Sequence, residues 1–161
     1  MLFYKLLGAI LLSSVGVYGA ITLNRRAMRQ IDQLDAWIAL LRLTKNQIDC
    51  YALPTAEILQ RCDRSLLSRL GWNEVAPPKD FQSIGKGILR LGMTEEGERI
   101  AESFCEEIGR GYRGEQIRTC DYGIGLFCAE RDRLLSELPQ RRQRNITLCM
   151  AAAIGMVVIL F

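Results

Sequence analysis

Residues 117–138 read IRTCDYGIGLFCAERDRLLSEL, and the spacing of their apolar members decides the fold. Ile117, Cys120, Ile124, Phe127, Leu134 and Leu138 follow alternating steps of three and four, with Arg131 the one charged interruption. Such a period is that of a helix with one seam facing a partner. The partner is upstream. Ile31, Leu34, Ile38, Leu41 and Ile48 repeat the same steps, with Lys45 the polar interruption. Two helices with matching seams are expected to pair antiparallel. Lys45 and Arg131 are expected to snorkel, to pair with acids such as Asp49 or Glu130, or to mark where the seam opens toward a partner.

Between the seams the chain reads as shorter helices. Pro54 suits the first turn of a helix whose apolar side is Ala56, Leu59, Leu66, Leu67 and Leu70. Pro77 and Pro78 forbid a helix in the loop GWNEVAPPKD, residues 71–80. A glycine-weakened segment over 81–91 follows. Thr94 then reads as a helix cap, with Glu95 and Glu96 in the favoured first turn. Ile100, Phe104 and Ile108 form the buried side of that helix, while Glu98, Glu102 and Glu106 form an acidic stripe on another face. The turn GRGYRG, 109–114, ends it, and the last helix starts near Arg113. No stretch alternates with a β period, so the expected class is all-α.

The ends of the chain are of another kind. Leu6 to Leu23 is 18 residues without a charge, roughly 27 Å as a helix, against a hydrocarbon core of about 30 Å. Ile146 to Phe161 is a second uncharged run, of 16 residues, about 24 Å long. Arg25, Arg26 and Arg29 follow the first run, and Arg141, Arg142 and Arg144 precede the second. The positive-inside bias then expects two transmembrane helices, 1–23 and 146–161, flanking a cytoplasmic helical domain, 24–145. Cleavage of the first run as a signal peptide fits less well, because one lysine precedes it and three arginines follow.

Composition narrows the function. Of 21 Lys and Arg only Lys5 lies outside 24–145, and all 18 acids lie inside it, so the middle is nearly balanced and gives no nucleic-acid footprint. The chain has no histidine, the commonest general base and metal ligand, and its six cysteines form no CxxC. No metal or cofactor is therefore expected, and the case for an enzyme weakens without catalysis being barred. SIGKGILRLG, 83–92, lacks the order of a phosphate loop and a preceding strand.

Two motifs carry a resemblance. QIDCYALPTAEIL, 47–59, has an isoleucine near a helix end, then a proline and a downstream glutamate, here Ile48, Pro54 and Glu57. IGRGYRGEQI, 108–117, has a glycine turn with a glutamine seven residues on, here Gly109 and Gln116. With an apolar run at each end, the chain resembles the stage III sporulation protein AB family of endospore-forming bacteria. It departs at Cys50, Thr55 and Tyr112, where members of that family often have Tyr, Leu and Asp.

The resemblance implies a fold like the cytoplasmic domain of the inner-membrane platform protein of type II secretion and type IV pilus systems. It implies a non-enzymatic scaffold in the mother-cell membrane around the forespore, coupling a secretion-type cytoplasmic ATPase to membrane ring proteins. About 30 residues of helix would set the 109–116 turn roughly 45 Å from the bilayer. Arg110, Tyr112, Arg113 and Gln116 are the expected partner contacts there, and the stripe Glu98, Glu102, Glu106 is the second choice. The competing expectations are a membrane-tethered regulator without a secretion partner and a holin-like membrane protein. The oligomeric state stays open.

Overall fold

A computed structural model of the chain describes residues 2–74, 76–88 and 92–160, without the side chains of 2–17, 20, 21, 23, 86–88, 142, 149, 153, 154 and 156–160. Among the described residues every regular element is helical: α1 (Leu2–Tyr51), α2 (Thr55–Gln60), α3 (Arg64–Leu70), α4 (Phe81–Ile88), α5 (Glu95–Glu107) and α6 (Arg113–Leu160). Two compact units divide the chain. One is 29–133; the other joins 1–28 to 134–161.

In the 29–133 unit α1 and α6 run antiparallel. Numbers rise along α1 as they fall along α6: Asp35 faces Arg131, Trp37 stacks on Phe127, Lys45 reaches Asp121 and Asp49 reaches Arg113. The α1 heptad positions do what their spacing predicts, since Ile31, Leu34, Ile38, Leu41 and Ile48 are buried; on α6 Cys120 and Phe127 are buried, whereas Ile117 and Ile124 are only half-buried, as is Leu138 beyond this unit. The pair closes tightly at Gly123, where a Cβ would lie 2.7 Å from Leu41 Cδ2 and 3.3 Å from Phe104 Cδ2. No side chain fits there without a neighbour moving.

The burial of α1 exceeds one seam. Gln33, Ala36, Trp37, Leu40 and Thr44 are buried too, leaving Asp32, Ala39, Arg42 and Asn46 as its only fully exposed stripe between 31 and 48. The reason is that α1 is packed from two sides. Across from α6, the end of α3 lies on it: Gln33 Nε2 donates to the Leu70 carbonyl at 3.3 Å, and Arg69 pairs with Asp32 at 2.6 Å. Leu34 also approaches α5, its Cδ2 lying 3.3 Å from where a Cβ on Gly97 would stand. Phe81 of α4 meets Phe104 of α5 edge to face at 5.6 Å, completing the core.

Several local details differ from the sequence reading. The helix expected from Pro54 to Leu70 is two helices, broken where Asp63 caps α3 by accepting from Ser65 N at 3.2 Å and from Ser65 Oγ at 2.6 Å. A short acid at that spot competes with the helix for backbone donors and restarts it. Pro54 precedes α2 as its extended N-cap rather than sitting in its first turn. Thr94 caps α5 as expected, accepting from Gly97 N at 3.1 Å, and its hydroxyl also donates to Glu130 Oε1 at 2.7 Å. Glu130 is buried and also takes Arg133 as a two-pronged donor at 2.8 and 2.7 Å, which satisfies a charge that burial would otherwise penalise.

The other unit comprises the start of α1 and the end of α6. Among the described residues no helix is long and apolar enough to cross a membrane. The runs 6–23 and 146–161, on which the two expected transmembrane helices rest, fall largely on side chains outside the described residues. Pro139 lies within α6, and residues 89–91 also lie outside the description.

Candidate functional site

The turn between α5 and α6 is built by its backbone. Ile108 N donates to the Phe104 carbonyl at 3.0 Å, ending α5, and Gly109 then takes φ +86°, a region that L side chains rarely enter. At that glycine a Cβ would also press on Thr55 Oγ1 at 3.3 Å. Tyr112 precedes the first residue of α6, and Glu115 Oε2 accepts from its amide at 3.1 Å, the reach-back half of a capping box. Gln116 Nε2 donates to the Gly111 carbonyl at 2.8 Å, and its own amide donates to the Tyr112 carbonyl at 3.0 Å. Arg113 donates to both the backbone carbonyl and the carboxylate of Asp49, tying the turn to the end of α1.

Those bonds divide the four expected contacts. Gln116 and Arg113 are occupied in holding the turn. Tyr112 is 87% exposed, and Arg110 is exposed with no side-chain partner among the described residues. A tyrosine at that position gives no side-chain cap, so the local structure has no use for its ring. Tyr51, at the end of α1, is 70% exposed beside a residue with positive φ, Ala52 at +49°. The sequence reading passed over Tyr51; its place just outside the Ile31–Ile48 seam was the available signal.

The acidic stripe lies on α5 with Glu102 and Glu106 exposed and Glu98 half-buried. Its residues have no cationic side-chain partner among the ion pairs of the described residues, whereas Glu96 on the same helix holds Arg99 at 2.7 Å. The two seam cations are not openings. Lys45 pairs with Asp121 at 2.6 Å, and Arg131 with Asp35 at 3.3 Å and Asp132 at 2.9 Å, in place of the acids Asp49 and Glu130 named from sequence. Their partners lie across the seam or beside it, and Asp49 and Glu130 serve Arg113 and Arg133 instead.

The flanking arginines stand out by their lack of such partners. Arg25, Arg26, Arg29 and Arg144 are exposed and form no ion pair among the described residues, while Arg141 pairs with Glu137 and the Arg142 side chain lies outside the description. The described thiols differ in exposure, with Cys128 half-buried. Cys50 is exposed; Cys62, Cys105 and Cys120 are buried. Burial pushes the Cys105 thiol up to about 12 and the Cys120 thiol up to about 11, and raises that of Cys62. Such thiols act as small hydrophobes rather than nucleophiles.

Compared with known proteins, the chain matches no family model, no curated protein and no solved structure.

Proposed function

We propose that the chain is a non-enzymatic membrane platform, of the stage III sporulation protein AB kind, that docks a secretion-type cytoplasmic ATPase and links it to ring proteins of the mother cell–forespore assembly. In this reading its ends sit in the membrane around the forespore and the 24–145 domain in the cytoplasm. The observation that carries the docking part is the α5–α6 turn. It is fixed by Gly109, Gln116 and the Arg113–Asp49 pair, and it spends that rigidity on presenting Arg110 and Tyr112 to solvent. Arg and Tyr are the residue types that anchor protein interfaces, and a prefixed turn loses little entropy on binding.

The membrane part rests on the two uncharged runs and their arginine flanks. It is supported by where apolar surface is left uncovered. Among the described residues the exposed large aliphatic side chains are Met28, Leu135, Ile146, Leu148 and Met150, all in the unit of 1–28 and 134–161. Apolar surface of that kind marks a membrane or a partner.

The test is capture of the purified ATPase of the same assembly by the full chain in detergent. Arg110→Glu with Tyr112→Ala is expected to lower affinity by about a hundredfold, the effect of losing two anchor residues at ~1–2 kcal/mol each. Glu98→Lys with Glu102→Lys and Glu106→Lys reads the second surface. Capture unchanged by both sets would reject docking at either face. Absence of capture by the unmodified chain would reject the coupling role.

A further inference from the structure

Within residues 29–133, α6 turns one face to its neighbours and leaves the opposite face uncovered. Cys120, Gly123, Phe127 and Glu130 are buried: Phe127 stacks on Trp37 of α1, Gly123 lies against Leu41 and Phe104, and Glu130 accepts from Thr94. On the far side Arg118, Tyr122, Gly125, Ala129 and Asp132 recur at steps of four, three, four and three, and all five are exposed. The middle three carry no charge. Tyr122 is 68% exposed, the one large apolar side chain that α6 presents to solvent between 113 and 133. A Cβ on Gly125 would meet nothing within 4 Å, so its backbone is open to another helix. The charges come at the ends. Arg118 and Asp132 lie seven positions to either side of Gly125, two turns away along the same face. Arg118 forms no ion pair among the described residues, and Asp132, though engaged by Arg131 at 2.9 Å, keeps 65% of its side chain in solvent.

We infer that this face binds a second copy of the chain, the two α6 helices crossing antiparallel about a two-fold axis at Gly125. The face is self-complementary about that residue. An axis there sets Arg118 opposite Asp132 of the second copy, and symmetry makes the same pair twice. Tyr122 lies three positions before the axis, so its ring falls over Cys128 and Ala129 of the second copy, three and four positions after it, where small side chains leave it room. Tyrosine is among the residue types that anchor interfaces. At the axis glycine meets glycine, which permits an interaxial distance near the short end of about 8–10 Å. Charge decides the sense of the contact. A parallel pairing would oppose Arg118 to Arg118 and Asp132 to Asp132, and like charges across an interface repel. With the chain ends in one bilayer α6 would run in the same sense in every copy, so the contact joins copies that do not share a bilayer. The inference goes beyond the platform reading, since no residue outside 29–133 takes part. Five residues a side are few against the roughly 20–30 of a stable interface, so the affinity is micromolar at best.

The full chain, purified in a neutral detergent, is followed by sedimentation equilibrium over a range of protein concentrations. A reversible monomer–dimer equilibrium is expected, loosened by added salt because exposed pairs are screened. Arg118→Asp alone and Asp132→Arg alone each turn both pairs into like charges. Each should weaken dimerisation by about tenfold or more, since one exposed pair is worth up to about fivefold and two change sign. Mixing the two single variants in equal amounts restores opposite charges at both places, as does placing both changes in one chain. Either is expected to return the dimer to within about threefold of the unmodified chain. Gly125→Leu should weaken the dimer with no change of charge, by holding the helices apart. All three positions are exposed, so circular dichroism is expected to report an unchanged fold. A monomer at every concentration, or a dimer indifferent to the single reversals or to Gly125→Leu, overturns the inference. So does a loss that neither the mixture nor the double variant repairs.

Discussion

Gly123 and Gly125 lie two positions apart on α6, and alanine at each should move stability in opposite directions. In the interior of a helix, replacing glycine by alanine removes unfolded-state freedom and contributes about 0.5–1 kcal/mol. Gly125 is exposed, and a Cβ there meets nothing within 4 Å, so Gly125→Ala should realise that gain. For a chain of this size it corresponds to a melting point about 1–4 °C higher. At Gly123 the same Cβ would stand 2.7 Å from Leu41 Cδ2 and 3.3 Å from Phe104 Cδ2. Leu41 is fully buried, as is Trp37 one turn before it, so the leucine has no solvent to swing into. Overpacking of this kind costs ~1–3 kcal/mol, which outweighs the helix gain and leaves Gly123→Ala destabilised by ~0–2 kcal/mol. Leu41→Ala alone should cost ~2–5 kcal/mol through the cavity it leaves. Combined with Gly123→Ala, that cavity is partly refilled, so the double variant should be less damaged than the two singles added, by ~1 kcal/mol or more. Thermal unfolding of the full chain followed by far-ultraviolet circular dichroism measures all four. If Gly123→Ala stabilises as much as Gly125→Ala, or if the pair is simply additive, α1 and α6 do not meet at Gly123 and the seam is wrong.

The aromatic stack offers a second check: Phe127→Ala should cost ~3–5 kcal/mol, because it strips a fully buried ring from Trp37 at 5.5 Å. Trp37→Phe should cost well under that, since Trp37 Nε1 is buried without an acceptor and the smaller ring removes an unpaid donor, a relief of ~1–3 kcal/mol set against the lost volume. At the α5–α6 turn, Gln116→Ala should lower stability by ~1 kcal/mol by freeing the Gly111 carbonyl, whereas Arg110→Ala should stay within ~0.5 kcal/mol; chemical denaturation with equal effects from both would refute the division between holding and presenting residues. Among the thiols of the domain, Cys50 should react with a maleimide in the folded chain while Cys105 and Cys120 wait for unfolding, and modification of all three at one rate would contradict their burial. The same burial sets an alkaline limit. Both folded thiol pKa values lie above the unfolded value of 9.0, so their contribution is complete below pH 9. It is lost as pH rises through about 11 for Cys120 and about 12 for Cys105, and Cys→Ser at both positions should flatten that decline.

The seam positions were legible because burial along a helix has a period, and the period is written in single residues: Ile31, Leu34, Ile38, Leu41 and Ile48 needed no knowledge of what they touch. The same logic missed Trp37, Leu40 and Thr44. These fall off a one-sided stripe: Trp37 is buried against Phe127 of α6, and α1 is also covered from a second side, where Gln33 meets α3 and Leu34 meets α5. A period reveals one buried face; a second packing partner is information held in other segments. Ionic partners were illegible for a related reason. Asp121 is 76 residues from Lys45 and Asp35 is 96 from Arg131, so their meeting depends on the register of two helices rather than on anything local. Ile58, fully buried on α2, was hidden by the break at 61–63, which makes two short helices of one expected length and changes which face each turns inward.

The turn at the end of α5 shows how a motif can point to function through residues that do not perform it. Gly109 is required by its φ of +86°, and Gln116 by its bond to the Gly111 carbonyl. Of the other residues that carry the family resemblance, Ile48 is buried in the seam, Pro54 caps α2 and Glu57 pairs with Arg61 at 2.6 Å. Each has a local structural task, so these positions are accounted for without any partner. If the turn docks a partner as proposed, the choice of partner falls on side chains the backbone does not need, and at this turn those are Arg110 and Tyr112. Replacing Tyr112 by the Asp common in the resembling family should leave the fold intact, because aspartate caps a helix better than tyrosine and would add ~0.5–1 kcal/mol there. It should nevertheless alter partner choice, since an exposed ring becomes a charge. Unchanged partner affinity in Tyr112→Asp, alongside the expected gain in melting temperature, would move the docking surface away from this turn.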